Sequence, residues 1–433
     1  MSWQEEYQTK LVTAAEAVSK IKSGDRVVLA HAIGEPDALV EAMVKNASAY
    51  RDVELIGLVA MGKCKYCNPE YAGNFRLNSL FVGAPVRKAV ADGRADFTPV
   101  FFHEVPNLLK TKLVPDVSLL QLSPPNAHGY CSFGVSVDYT RTAARECPGI
   151  KIAQINKQMP RTYGESFIHI SELDYIVEHD EPLVELQPPV LGEVEKAIGR
   201  NVASLIKDGD CLQLGIGAIP DAVLAALTDK RDLGIYTEMF SDGVVDLVNA
   251  GVINNKRKNF HPGKFVATFL MGTRKLYDFV NDNPEVEMLP VDYINDPRIA
   301  CQNDNLVAIN ACVQVDLFGQ VVSDSVGLRQ ISGVGGQVDF VRAANMSRGG
   351  RAIMAMPSTN KGISKIVPLI NEGAAVTTSR FDVSYVVTEY GVADLKGKTL
   401  KDRAAALIAI AHPDFREELE AEYRQRFKIM GGN

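Results

Sequence analysis

Two glycine-rich turns and one glutamate carry the strongest chemical signal in this sequence. Asp210 to Leu214, followed by Gly215-Ile216-Gly217-Ala218-Ile219-Pro220-Asp221, reads as a strand, a tight turn and a helix start. Glycine permits positive φ and close ligand approach, and Pro220 suits the first helical position, where no N–H partner is needed. Main-chain amides at such a turn favour anionic or developing negative charge. Next, Gly234-Ile235-Tyr236-Thr237-Glu238 predicts a short strand ending in a carboxylate. Carboxyl ends of strands line the crevice of a parallel α/β sheet, so Glu238 is expected beside the Gly215 turn. A dinucleotide fold, with the acid on a ribose, competes with this reading. Against it, Pro220 stands where GxGxxG has its third glycine. The plain alternative is a chain-turning loop followed by a solvated strand end.

Other segments extend the candidate site. Ser332-Gly333-Val334-Gly335-Gly336 is a second loop able to present main-chain amides to a small ligand, or simply a flexible turn. Met356 to Ser364 is a polar loop with one cation, Lys361. Gln213, inside an apolar strand, either orients Glu238 or makes a sheet-edge hydrogen bond. Cys64-Lys65-Tyr66-Cys67 lacks the second CxxC or His pair that would close a zinc site, so no metal is expected.

The elements that must position these groups follow from an internal similarity. IKSGDRVVLAHAIGEPDALVEA (21–42) and IKDGDCLQLGIGAIPDAVLAA (206–226) share a strand, a small-residue turn and Pro-Asp-Ala opening a helix. HGYCSFGVSVD (128–138) and FGQVVSDSVG (318–327) are a weaker echo. The period is too long for a solenoid and implies two similar open α/β domains. Pro182, Pro188 and Pro189 mark an extended linker, which sets the expected domains at 1–190 and 191–433. Strands are expected at Val27–Ala30, Val53–Val59, Val100–Phe102, Val117–Leu122 and Ile152–Ile155 in the first half. In the second they are expected at Cys211–Leu214, Gly234–Glu238, Leu306–Ala311, Ala352–Met356 and Tyr385–Thr388. Runs apolar on both faces, alternating with helical patterns, imply mainly parallel sheets covered by helices. By the same duplication the turn Ala30-His31-Ala32-Ile33-Gly34-Glu35-Pro36 should face Glu238, where His31 either hydrogen-bonds a substrate carboxylate or hydroxyl or packs with a local partner.

Composition sets the outer limits. With 46 Lys plus Arg against 53 Asp plus Glu, the chain lacks the cationic balance of a general nucleic-acid binder. No signal-peptide pattern and no apolar run of membrane-spanning length is present, and seven scattered cysteines suit reduced thiols. A cytoplasmic protein without a membrane or nucleic-acid partner is expected.

LGIGAIPDAV, IYTEMFSDGVVDL, FLMGTRKLYDF, INACVQVDLFGQVVSDS, SGVGGQVDF, SKIVP, VVTEYGVADLKGKTLKDRA and IAHPDFREEL together resemble the acetyl-CoA hydrolase/transferase family of class I CoA-transferases, over nearly the whole chain. Within it the resemblance is strongest to the enzymes acting on 4-hydroxybutyrate and to the butyryl-CoA:acetate group. The resemblance implies that Glu238 is the catalytic glutamate that becomes a glutamyl-CoA thioester. It further implies that Gly215, Ile216, Gly217, Ala218 and Ile219 form a main-chain CoA-binding turn. Ser332 and Gly336 would then meet CoA or its thioester, Lys361 would lie near it, and the amides of Ile219 and Gly336 would form an oxyanion hole. Coenzyme A is implied as a co-substrate, with no tightly bound cofactor, acyl-CoA and small carboxylates as partners, and a homodimer as the assembly. An acyl-CoA hydrolase on the same fold and a non-catalytic nucleotide-binding protein are the alternatives.

Overall fold

A computed structural model describes residues 2–428. Two compact units divide the chain. Among the described residues one comprises 2–186, 266–294 and 330–335, and the other 187–265, 295–329 and 336–428. The proline-bearing stretch 181–190 contains neither helix nor strand.

The first unit is built on a seven-stranded sheet of β1 (Arg26–Leu29), β2 (Val53–Gly57), β3 (Phe75–Ser79), β4 (Asp96–Phe97), β5 (Val117–Leu122), β6 (Ile150–Ile155) and β7 (Tyr175–Glu178). Its order is β7-β6-β5-β1-β2-β3-β4 and every pair is parallel. β5 is buried along its whole length, as a central parallel strand covered on both faces requires. Helix α1 (Asp37–Lys45) follows β1 and buries Leu39, Val40, Met43 and Val44 at helical spacing.

The second unit has a six-stranded sheet of β8 (Cys211–Leu214), β9 (Gly234–Ile235), β10 (Leu306–Ala311), β11 (Arg351–Ala355), β12 (Tyr385–Thr388) and β13 (Gly391–Asp394). The order is β9-β8-β10-β11-β12-β13, parallel except for the final pair. Helices α2 (Glu193–Ala203), α3 (Ala218–Ala225), α4 (Asp242–Asn249) and α5 (Gln337–Met346) accompany it. Both similar segments therefore fold as strand, turn and helix, β1 to α1 and β8 to α3. Strand order reverses between β1 and β5 and again between β8 and β10, the places where open α/β sheets bind ligands.

Three expectations need correction. No strand forms at Val100–Phe102, because Phe102 opens a 3-10 turn that runs into a helix at Val105. The strand expected at Gly234–Glu238 ends at Ile235, and Glu238 lies in a bend before a second short strand, Met239–Phe240. Pro220 is the third residue of α3 rather than the first. It is tolerated there because the first four helical N–H groups have no partner in the helix.

Candidate functional site

Glu238 is fixed by its neighbours on both sides. Tyr236 N–H donates to the Leu212 carbonyl at 3.1 Å, which continues the pairing of the segment with β8. The buried Thr237 hydroxyl then accepts from Leu214 N–H at 3.2 Å and donates to the Met239 carbonyl at 2.9 Å. A side chain has replaced the sheet ladder, so the chain bends and Glu238 emerges, partly exposed, beside the end of β8. The Gly215 turn begins at that end.

Asn295, fully buried, donates from Nδ2 to Glu238 Oε2 at 2.8 Å. A carboxylate accepts only, so the amide must turn its NH2 group toward it. Gly336 completes the arrangement. A Cβ at this position would collide with both Glu238 Oε2 and Asn295 Nδ2. Only glycine lets the main chain approach the carboxylate this closely.

Two helix N-termini belong to the same unit. Gly217, at φ 108°, caps α3 without a side-chain hydrogen bond, which leaves the first amides, Ile219 among them, without a capping side chain. Such a φ is one that L side chains rarely adopt. Gly336 is the N-cap of α5, again without a side-chain cap. Both ends carry the partial positive charge that stabilises an oxyanion. Ile216 is exposed at the tip of the turn, and Ile219 and Pro220 are buried under it.

The remaining expected residues fall in several places. Gln213 Oε1 accepts from Asn310 Nδ2 at 3.1 Å on the adjoining strand β10, a hydrogen bond within the sheet. Lys361 is exposed at the tip of a hairpin, Thr359–Asn360 with Ile363–Ser364. Lys361 and Gly362 have φ of 49° and 75°, the twist that suits a two-residue hairpin turn. Ser332 belongs to the first unit and its carbonyl accepts from Val82 N–H at 3.3 Å. His31, also in the first unit and 1% exposed, pairs through Nδ1 with Asp138 Oδ2 at 3.0 Å. Phe102, Tyr139 and Phe269 surround its ring. Its Nε2 has no hydrogen-bond partner among the described residues. Burial pushes the Cys64 and Cys67 thiols up to about 12, which leaves little thiolate for redox or metal chemistry.

Two groups escaped sequence reasoning. Asn295 stands alone before Asp296-Pro297, a helix-start signal that accounts for Asp296 and gives Asn295 no role. Glu389, just after β12, accepts from Ser358 N–H at 2.8 Å and from the Ser358 hydroxyl at 2.5 Å, which anchors the start of the loop that carries Lys361.

Residues 1–188 match the acetyl-CoA hydrolase/transferase N-terminal domain and residues 272–423 the corresponding C-terminal domain. The chain is 63% identical over 430 residues to the 4-hydroxybutyrate coenzyme A transferase of Clostridium kluyveri, covering 99% of this chain and 100% of that one. It is 39% identical to the butyryl-CoA:acetate CoA-transferase of Anaerostipes caccae, with 97% of each covered. The crystal structure of a 4-hydroxybutyrate CoA-transferase from Porphyromonas gingivalis superposes with a TM-score of 0.84 at 45% identity, over 98% of this chain and 100% of that one. An acetyl-CoA hydrolase of Candida albicans is more distant, 30% identical over 49% of this chain.

Proposed function

The chain belongs to the acetyl-CoA hydrolase/transferase family and is a CoA-transferase, and we propose that it exchanges coenzyme A between short-chain acyl-CoA and carboxylates such as 4-hydroxybutyrate, butyrate and acetate, through a thioester on Glu238. One observation carries this reading: Glu238 is oriented by Asn295 against a main-chain approach that only Gly336 permits.

Moving CoA between acids without ATP requires that every intermediate remain an acyl derivative, and an enzyme carboxylate satisfies this. A Glu238 oxygen attacks the acyl-CoA carbonyl carbon, and the C–S bond breaks to give a mixed anhydride and CoA thiolate. The thiolate attacks the Glu238 carbonyl carbon, releasing the first acid as its carboxylate and leaving glutamyl-CoA. The incoming carboxylate runs both steps in reverse. No proton is gained or lost, so no general base is needed. A carboxylate is a weak nucleophile, and holding the reactants in register is worth roughly 7 to 11 kcal/mol. On this reading Asn295 holds one oxygen of Glu238, and the amides of Ile219 and Gly336 receive the oxyanions, each contributing roughly 3 kcal/mol. The turn from Gly215 to Ile219 holds CoA through its main chain, and Ser332 and Lys361 add contacts to CoA. A division near residue 190 separates the domain of the His31 turn from the one carrying Glu238. The assembly is proposed as a cytoplasmic homodimer.

The test is to supply labelled acetate with butyryl-CoA and no ATP. Labelled acetyl-CoA is expected, and free thiol without labelled thioester would overturn transfer. Borohydride added after acyl-CoA should reduce the thioester, and mass spectrometry should find the modification on Glu238.

A further inference from the structure

A cavity of about 950 Å3 in the first unit is lined by the segments that follow β1, β2 and β7 and by Ala14 and Ala15, which precede β1. Part of its wall is apolar, formed by Ala14, Val40, Val44 and Val184, and four carboxylates also reach it. Two of these are engaged. Glu41 pairs with Lys65 at 2.9 Å, and Glu181 accepts from Gln154 Nε2 at 2.6 Å with His179 Nε2 at 3.6 Å. Glu35 and Asp37 are different. Glu35 is 6% exposed, and its Oε1 has no hydrogen-bond partner among the described residues. Asp37 is half-buried, and Lys63 acts on it through its field without an ion-pair contact. Both carboxylates converge over Gly62: a Cβ there would lie 2.9 Å from Asp37 Oδ1 and 3.4 Å from Glu35 Oε1. A buried acceptor without a donor is costly, and this residue lines a cavity.

We propose that this cavity binds a primary organic ammonium ion, its NH3+ group held between Glu35 and Asp37 and its hydrocarbon tail along the Ala14, Val40 and Val44 wall. An ammonium group offers three donors and no acceptor, the complement of the Asp37 carboxylate and of Glu35 once it gives up the proton that burial holds on it up to about 8. Lys45, Lys63 and Lys65 also line the cavity, Lys45 and Lys65 at 4.0 and 2.9 Å from Glu41, but an anion over Gly62 would meet the Glu35 and Asp37 carboxyl groups. A divalent cation needs more ligands, and among the described residues no group of three or more His, Cys, Asp or Glu is placed to hold one. The apolar wall and the volume exceed what a bare inorganic ion uses and suit an alkyl chain.

Titration calorimetry of the full chain with n-hexylammonium chloride tests the site, at about pH 8.5, where a primary amine with a lysine-like pKa near about 10.4 stays charged. Saturable binding is expected, weakened by about 10-fold or more in Glu35→Gln and in Asp37→Asn, the size of one charged hydrogen bond. Gly62→Ala, whose methyl group presses on Asp37, should weaken it in the same direction, and hexan-1-ol should not bind. Glu238→Gln should bind the amine as the unaltered protein does, which separates this site from the transfer reaction. Absence of saturable binding, equal binding of hexan-1-ol, or unchanged affinity in a folded Glu35→Gln or Asp37→Asn protein would overturn the proposal.

Discussion

Replacing Glu238 by Gln keeps the size of the side chain and removes the nucleophile, because an amide cannot form the anhydride. Transfer should fall by about 10^5-fold or more, the scale seen when a covalent nucleophile is lost, while the melting temperature barely moves. Asn295→Ala removes the hydrogen bond to Oε2 that orients the carboxylate. A charged hydrogen bond contributes roughly 1.5 to 3 kcal/mol, so kcat should drop roughly 10- to 100-fold with little change in KM. Steady-state kinetics decides, and an unaltered kcat would remove Asn295 from the reaction. Glu238 was singled out in the sequence by its place behind a glycine turn and by the family motif around it, since the turn and the acid alone left a solvated strand end open. Asn295 was not, since its partner lies far away in the chain and its local context speaks only of a helix start.

Among the elements, the contact between α2 and α3 governs the glycine turn. Gly199 of α2 packs so closely on α3 that a Cβ would collide with the Ala222 carbonyl. Gly199→Val should therefore push α3 away and cost roughly 1 to 3 kcal/mol, read as a lower urea midpoint. Because α3 begins at the turn after β8, kcat should fall as well, although the substitution lies outside the proposed catalytic groups. Retained stability and turnover would show that the helix pair yields without consequence. Strands β5, β8, β10 and β12 matched their expected bounds because they are mostly apolar, carry no charged residue and are buried through most of their length. β3, Phe75-Arg76-Leu77-Asn78-Ser79, escaped notice because Arg76 and Asn78 interrupt the apolar run. The early end of β9 was hidden because it depends on the Thr237 hydroxyl, a tertiary contact.

For the whole molecule, the duplication was readable from two matching strand-turn-helix segments, whereas the return of 266–294 and 330–335 to the first unit was not. That return rests on pairings such as Val137 N–H to the Thr268 carbonyl at 3.0 Å, which no local pattern announces. Glu35, in the duplicated turn, makes global stability depend on pH. Burial first, and then the charge of Asp37, push its carboxyl from 4.5 up to about 8. The native chain thus keeps a proton that the unfolded chain releases near 4.5, and folding binds more protons throughout that window. Stability from this group is full below about 4.5 and is lost as pH rises toward about 8. At about 1.4 kcal/mol per pKa unit the loss is on the order of 4 to 5 kcal/mol. Glu35→Gln keeps the shape and cannot ionise, so its urea midpoint should lose less than that of the unaltered chain between pH 5 and pH 9, the interval that spans the shift. Parallel pH profiles for the two proteins would mean that Glu35 ionises in the folded state as easily as in the unfolded one, through water or a bound cation in the cavity it lines.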